Sequence, residues 1–156
     1  TAPAWAALAT AAALVLGVVL INLPGSTPRQ QPVAIEQVVA GFRSQQLPGT
    51  EMPTGQAPDL RALDLRQVGA AAGTVAGTTM TAFAYQDSVG RELVVYLSGE
   101  PFPTALGAQQ LSGPDGPWVA VSQGVTILCA RSPHALLVLS TDRELVMATA
   151  EALRVI

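Results

Sequence analysis

Residues 78–98 read TTMTAFAYQDSVGRELVVYLS. Two segments of this stretch, Thr78–Gln86 and Glu92–Ser98, are rich in valine, threonine and aromatic residues, and the polar turn Asp87-Ser88-Val89-Gly90 lies between them. Segments of this composition form strands, and a short polar turn between two of them makes a hairpin. The chain is therefore expected to contain an antiparallel sheet that extends outward from this hairpin.

Further strands are expected on both sides of the hairpin, because short apolar runs divided by glycine or proline recur along the chain. The run before it, residues 63–70, is followed by a glycine-rich stretch that predicts a loop. After it, Gly113-Pro114-Asp115-Gly116 predicts a turn, since proline presets φ and glycine tolerates positive φ. The later strands are expected at residues 118–123, 125–131 and 135–140.

Two helices are predicted to flank the sheet. Residues 33–46 carry apolar side chains on one face of a helix, and the proline-rich residues 47–59 then form a loop. Residues 142–155 form the second helix, and Thr141 with Glu144 predicts a capping box at its start. The apolar stripe of the second helix is Leu145, Val146, Thr149 and Leu153. The predicted fold class is α+β, a small antiparallel sheet domain with two flanking helices.

The start of the chain differs in composition from the rest. No charged side chain precedes Arg29, and residues 4–23 contain only two polar residues. A helix over this run is ~30 Å long, which is enough to cross the hydrocarbon core of a bilayer. We expect a transmembrane helix in residues 1–23, a short proline-rich linker in residues 24–32, and the α+β domain in residues 33–156.

Other interpretations of the apolar segments remain open. A secretory signal peptide would need a basic region before the run at residues 4–23 and a small-residue cleavage site after it, and neither is visible. A helix buried in a soluble domain is the third possibility. The spacing of Gly69, Gly73 and Gly77 also raises a second membrane helix over residues 67–86, but the glycines and threonines there weaken insertion. The preferred interpretation of that segment is a strand that ends near Ala70, a glycine-rich loop, and a new strand that begins near Thr78.

The transmembrane helix is expected to have a surface for contact with another helix. Ala9, Ala13 and Gly17 recur at intervals of four residues, so they share one helix face and let a second helix approach closely. The expected partners are membrane lipid and another transmembrane helix or membrane protein. Because the part after the span is acidic and contains no lysine, we expect a single-pass protein whose C-terminal domain lies outside the cytoplasm.

The composition excludes several classes of function. All eight basic residues are arginines, and they are scattered along a chain with a formal charge of -3, so nucleic acid is not an expected partner. Without lysine, a phosphate-binding P-loop and Schiff-base chemistry are excluded. Cys129 is expected to be a buried filler and His134 a surface turn residue. We therefore predict no catalytic, cofactor-binding or metal-binding residues, and no enzyme activity.

The order of motifs resembles the extracytoplasmic half, together with the transmembrane helix, of bacterial transmembrane anti-sigma factors. The matching features are Pro58-Asp59-Leu60 at the start of the domain, Met80-Thr81-Ala82-Phe83-Ala84-Tyr85 ending in tyrosine, and the apolar strand 93–97 followed by Pro101 and Pro103. The resemblance covers residues 40–153. It implies an α+β domain outside a bacterial cell membrane, and a sigma factor as partner only through a part that would precede Thr1.

Two functions follow as expectations. The first is a membrane-anchored regulator resembling an anti-sigma factor, whose extracytoplasmic domain senses a signal or binds a partner. The second is a non-catalytic accessory subunit of a larger membrane complex, such as an energy-transducing one, since fold does not fix function.

Overall fold

The computed structural model describes residues 5–8 and 30–156. Within them are two helices, α1 (Val33–Arg43) and α2 (Arg143–Ala152), and a 3-10 turn at Arg61–Leu63. The strands are β1 (Ala6–Leu8), β2 (Gln46–Pro48), β3 (Arg66–Val75), β4 (Thr78–Gln86), β5 (Glu92–Ser98), β6 (Gln109–Gln110), β7 (Trp118–Ser122), β8 (Val125–Ala130) and β9 (Ala135–Ser140).

Seven strands form one antiparallel sheet in the order β3-β4-β5-β9-β8-β7-β6. Two meanders therefore meet where β5 pairs with β9. β1 and β2 form a separate parallel pair. The predicted antiparallel sheet with two helices is confirmed, and the bounds of β4, β5 and β9 are those that the sequence predicts.

The sheet is covered on both faces, because neighbouring residues of a strand point to opposite sides. We call them the α1 face and the α2 face after the helix that packs on each. On the α1 face, Val39 and Phe42 of the helix belong to one buried cluster with residues of the sheet such as Ala84 and Leu137. On the α2 face, residues of α2 pack against the other side of the same strands. Since both faces are covered, every residue of β8 and β9 is buried.

The glycine-rich loop predicted before β4 is wrong. β3 continues to Val75, and a tight turn at Ala76 and Gly77, with φ of 49° and 82°, leads directly into β4. Gly73 lies within β3, and a Cβ atom added to it would be 2.7 Å from the Cα of Gly49. The small residues of this strand therefore permit a close approach of backbone to backbone.

The segment that approaches β3 is residues 48–51, which we call the strap. The backbone N–H of Ala72 donates to the carbonyl of Glu51 at 2.8 Å. Gly49 has a φ of +69°, and a Cβ atom added to it would be 2.4 Å from the carbonyl oxygen of Ala72. The strap thus lies against the outer edge of β3, where the sheet would otherwise end.

Both helices differ in detail from their predicted bounds. The capping box at Thr141 is wrong, because Asp142 is the N-cap of α2 and its carboxylate accepts from the backbone N–H of Leu145 at 3.1 Å. At the other helix, α1 ends at Arg43 because Gln45 adopts a positive φ of 55° and turns the chain into β2.

The N-terminal strand departs from the predicted transmembrane helix where the two overlap. Ala6–Leu8 form β1, whereas the prediction begins a helix at residue 4. The rest of that prediction, residues 9–23 with Ala9, Ala13 and Gly17, lies outside the described residues, as do residues 24–29 of the predicted linker. Among the helices in the described ranges, none has the length and apolar character needed to cross a membrane.

Candidate functional site

Polar contacts gather at one end of the sheet, where the turn between β4 and β5 lies beside the start of α2. Asp87 is only 4% exposed, and its carboxylate accepts hydrogen bonds from the backbone N–H groups of Val89 at 3.1 Å and Arg91 at 2.7 Å. The Arg91 guanidinium donates to the same carboxylate at 2.6 Å. A buried charge is costly unless it is paired, and here Arg91 pairs it.

Arg91 also connects this turn to a helix. A second nitrogen of its guanidinium donates to Asp142, the N-cap of α2, at 2.9 Å. Burial would raise the pKa of Asp87, but hydrogen bonds from Arg91 and Val89 outweigh it and hold that pKa below its ordinary value. Hydrogen bonds from the Leu145 backbone and from Arg91 lower the pKa of Asp142 in the same way. Both carboxylates therefore stay charged near neutral pH and hold the hairpin against the helix.

A cleft of about 350 Å³ lies next to this network, at the end of α1. The amide of Gln45 donates to the Glu92 carboxylate at 2.6 Å, and the hydroxyl of Ser140 donates to the Glu92 backbone carbonyl at 2.6 Å. Burial raises the pKa of Glu92, and the bond from Gln45 opposes this rise. On the rim, Arg43 donates to the side chain of Gln123 at 2.5 Å. The cleft is lined by Phe42, Arg43, Ser44, Gln45, Glu92 and Thr141.

A second cleft of about 480 Å³ lies near the same end of the sheet and includes Tyr85, whose ring packs in the α2-face core. The Tyr85 hydroxyl donates to the carbonyl of Pro58 at 2.7 Å. Beside it, Arg61 donates to both oxygens of Asp59, and these bonds lower the pKa of Asp59 to about 2. Two motifs of the resemblance, Pro58-Asp59-Leu60 and the strand ending in Tyr85, therefore contact each other.

Four charged side chains of the two clefts, Arg43, Glu92, Asp59 and Arg61, form hydrogen bonds within the domain. Asp59 and Asp64, the closest carboxylates on the early loop, do not share a site, because Asp59 pairs with Arg61 while Asp64 accepts from Ser88. These hydrogen bonds hold the polar side chains of the clefts in fixed positions at the surface of the domain.

Cys129 and His134 lie where the sequence predicts them, the first buried and the second at the surface. Cys129 is 0% exposed, and burial raises the pKa of its thiol to about 12, with a small opposing effect of Arg131. His134 is exposed and lies at the rim of a third cleft of about 380 Å³ beside Thr79 and Ser98. Within residues 5–8 and 30–156, no three His, Cys, Asp or Glu side chains are grouped so that they could hold a metal ion.

The network of Asp87, Arg91 and Asp142 was missed by the sequence reasoning. The contacts of Asp87 within its own turn have a sequence signal, because an aspartate that opens a hairpin turn can accept hydrogen bonds from the backbone N–H groups that follow it. The hydrogen bond from Arg91 to Asp142 has no sequence signal, since Asp142 lies 51 positions beyond Arg91. Only the pairing of β5 with β9 brings the two residues together. The helix-packing residues Ala9, Ala13 and Gly17 fall outside the part of the chain that the structure describes.

Comparison of the chain with protein-family models, with curated proteins and with solved structures finds no match. A functional proposal for this chain therefore depends on the contacts among its own residues and on the order of its motifs.

Proposed function

We propose that the protein is a membrane-anchored regulator, resembling a transmembrane anti-sigma factor, whose α+β domain binds a partner or senses a signal outside the cytoplasm. The observation that carries this proposal is the uncharged run at residues 4–23, which precedes the folded domain by only a short linker. A run of this length and composition is typical of a membrane-spanning helix. The domain then acts by binding, at or near the bilayer.

The contact between Tyr85 and Pro58 joins two of the motifs on which the proposal draws. Both residues belong to motifs quoted for that resemblance, and their hydrogen bond of 2.7 Å fixes the end of the loop before β3 against the α2 face. These motifs therefore maintain the domain's shape. The clefts on either side of the Asp87–Arg91–Asp142 network are the surfaces we assign to partner binding.

The proposal is tested by copurification of the full chain from native membranes, followed by mass spectrometry of the bound proteins. We expect a regulatory partner, and we expect deletion of residues 33–156 to change transcription of a sigma-dependent reporter. A stoichiometric subunit of a membrane complex in place of a regulator would favour the accessory-subunit function. If the chain is recovered without detergent in the soluble fraction, the membrane anchor itself is wrong.

A matched pair of substitutions tests the proposed helix-packing face. Gly17→Leu fills the small-residue face, while Val15→Leu lies on another side of a helix and keeps the segment apolar. We expect Gly17→Leu to reduce recovery of the partner mildly for a regulator and several-fold for an accessory subunit. Val15→Leu should leave recovery unchanged, and both variants should still insert in the membrane. Equal recovery for the two variants would remove this face from the proposal.

A further inference from the structure

The first described residues of the chain dock onto the folded domain. β1 pairs in parallel with β2, with Ala6 opposite Gln46, Ala7 opposite Leu47 and Leu8 opposite Pro48. Just before the strand, the ring of Trp5 lies 6.0 Å from that of Phe42, with an angle of 51° between the ring planes. The start of the uncharged run is thus held by both backbone pairing and an aromatic contact.

The place that receives Trp5 is formed by three elements, and we call Phe42, Leu47 and Gly69 the Trp5 seat. A Cβ atom added to Gly69 would be 3.3 Å from the Cβ of Trp5 and 3.4 Å from a methyl carbon of Leu47. The pairing of β3 with β4 shifts register between Gln67 and Gly69, so the strand is irregular at this point. The absence of a side chain at Gly69 therefore leaves room for the Cβ of Trp5.

This docking conflicts with the membrane span that the sequence predicts. A helix over residues 4–23 is ~30 Å long and can cross a bilayer core. When residues 6–8 are in β1, the apolar run that remains is residues 9–23, and a helix over it is only about 22 Å long. A span over residues 4–23 and the pairing of β1 with β2 therefore exclude each other.

We propose that the Trp5 seat and the edge of β2 form a strand-docking site for the chain's own residues 5–8, and that docking competes with insertion of the span. The inference rests on the proposed membrane anchor and adds its regulation. The docked state pulls the start of the run out of the membrane, while the inserted state leaves the edge of β2 and the seat beside α1 uncovered. A signal that acts on the end of α1 would thereby change how the chain is anchored.

Two observations indicate that the docked strand is held weakly. β1 contributes only three residues of pairing. The indole nitrogen of Trp5 is buried and has no hydrogen-bond partner among the described residues. In the headgroup region of a bilayer the same N–H would find polar partners, as indoles at membrane interfaces do. The docked strand is therefore held weakly enough to be released.

A disulfide that locks β1 to β2 tests the competition in the full chain. Ala6→Cys with Gln46→Cys joins residues that are opposite each other. The matched control, Thr74→Cys with Thr79→Cys, joins opposite residues of β3 and β4 whose hydroxyls are 3.4 Å apart. Each double variant is oxidised, mixed in detergent with vesicles of phosphatidylcholine and phosphatidylglycerol, freed of detergent, and floated in alkaline carbonate with and without reductant.

We expect the disulfide between positions 6 and 46 to lower at least fivefold the fraction of the chain that floats with the vesicles in alkaline carbonate. Reductant should restore this fraction. The control pair should float equally in both states. Failure of the Ala6–Gln46 disulfide to form while the control forms would overturn the docking site. Equal flotation of the locked and reduced chain would overturn the competition. If the unsubstituted chain also fails to float, the membrane anchor is wrong, and the inference falls with it.

Discussion

The two faces of the sheet differ in how completely their buried polar groups are bonded. On the α2 face, Tyr85 bonds to Pro58, Asp142 caps its helix, and the hydroxyl of Thr149 donates to the carbonyl of Leu145 at 2.8 Å. On the α1 face, three side-chain atoms are buried without a hydrogen-bond partner among the described residues. They are the indole nitrogens of Trp5 and Trp118 and the hydroxyl of Tyr96.

The helices show the same difference. α2 begins at a side-chain cap that also takes part in the Arg91 network, whereas α1 begins after Pro32 with no side-chain cap. A buried polar group without a partner costs about 1–3 kcal/mol, so the α1 face is packed at a cost that the α2 face avoids. The α1 face, where a rearrangement could give these buried groups hydrogen-bond partners, is also the face that receives the N-terminal strand.

The largest effect is expected from removing the aromatic side chain that joins α1 to the sheet. Phe42 is 4% exposed, and Phe42→Ala should lower the free energy of unfolding by about 3–5 kcal/mol because it leaves a cavity in the α1-face core. Urea denaturation followed by circular dichroism would measure this loss. We expect a single transition, since the buried clusters on the two faces of the sheet share the strands β4, β5, β8 and β9.

A control on the same helix is Val33→Ala. Val33 is 58% exposed, so its truncation should change stability by less than about 0.5 kcal/mol. If Phe42→Ala instead produces two separate transitions, the α1 layer unfolds independently, and the contrast between the two faces is larger than the contacts indicate.

Two tyrosines on opposite faces allow a matched test of bonded and unbonded hydroxyls. Tyr85→Phe removes a hydrogen bond to the Pro58 carbonyl and should lower stability by about 1 kcal/mol. Tyr96→Phe removes a buried hydroxyl without a partner in the described part of the chain, so this variant should be at least as stable as the parent. Thermal melts of both variants would decide, and a comparable loss at Tyr96 would show that its hydroxyl is bonded.

The smallest effect is expected from acid titration of the Arg91 network, because the Arg91 side chain is 46% exposed and solvent screens its charge. The pKa of Asp87 is lower in the folded chain than its ordinary value of 3.8. Its contribution to stability is therefore present above about pH 4 and is lost as the pH falls through the folded pKa.

The variant Asp87→Asn should remove this part of the acid dependence. Stability measured between pH 3 and pH 6 should fall less steeply with acid in the variant than in the parent. Identical slopes for the Asp87 variant and the parent would show that the buried carboxylate contributes nothing through its charge.

Much of the sheet could be predicted because local composition and turn chemistry agree there. β5 is apolar, its hairpin turn begins with Asp87, and its bounds match the prediction. The end of β3 could not be predicted from the same signals. Gly73 indicated a loop, but its partner is Gly49 of the strap, a contact between distant parts of the chain that no local pattern contains. At Ala76, an alanine with positive φ gives no turn signal.

The candidate site could be predicted less well than the fold. Pro58 and Tyr85 were both marked by the resemblance, yet their hydrogen bond depends on how the loop packs over the α2 face. The link from Arg91 to Asp142 likewise depends on sheet order. The short strand β2 has no sequence signal, because three residues that include a proline are too few to show a strand period.

The strap has a consequence for how copies of the protein behave at high concentration. β3 is a ten-residue strand at the border of the sheet, and past Arg66 it carries no charged side chain. Uncharged border strands template intermolecular β-pairing and amyloid-like aggregation, which proteins prevent by covering or charging them. Here the cover depends on two glycines in contact, Gly49 and Gly73. A side chain at either position would force the strap away from β3 and open that edge to pairing with a second copy of the chain.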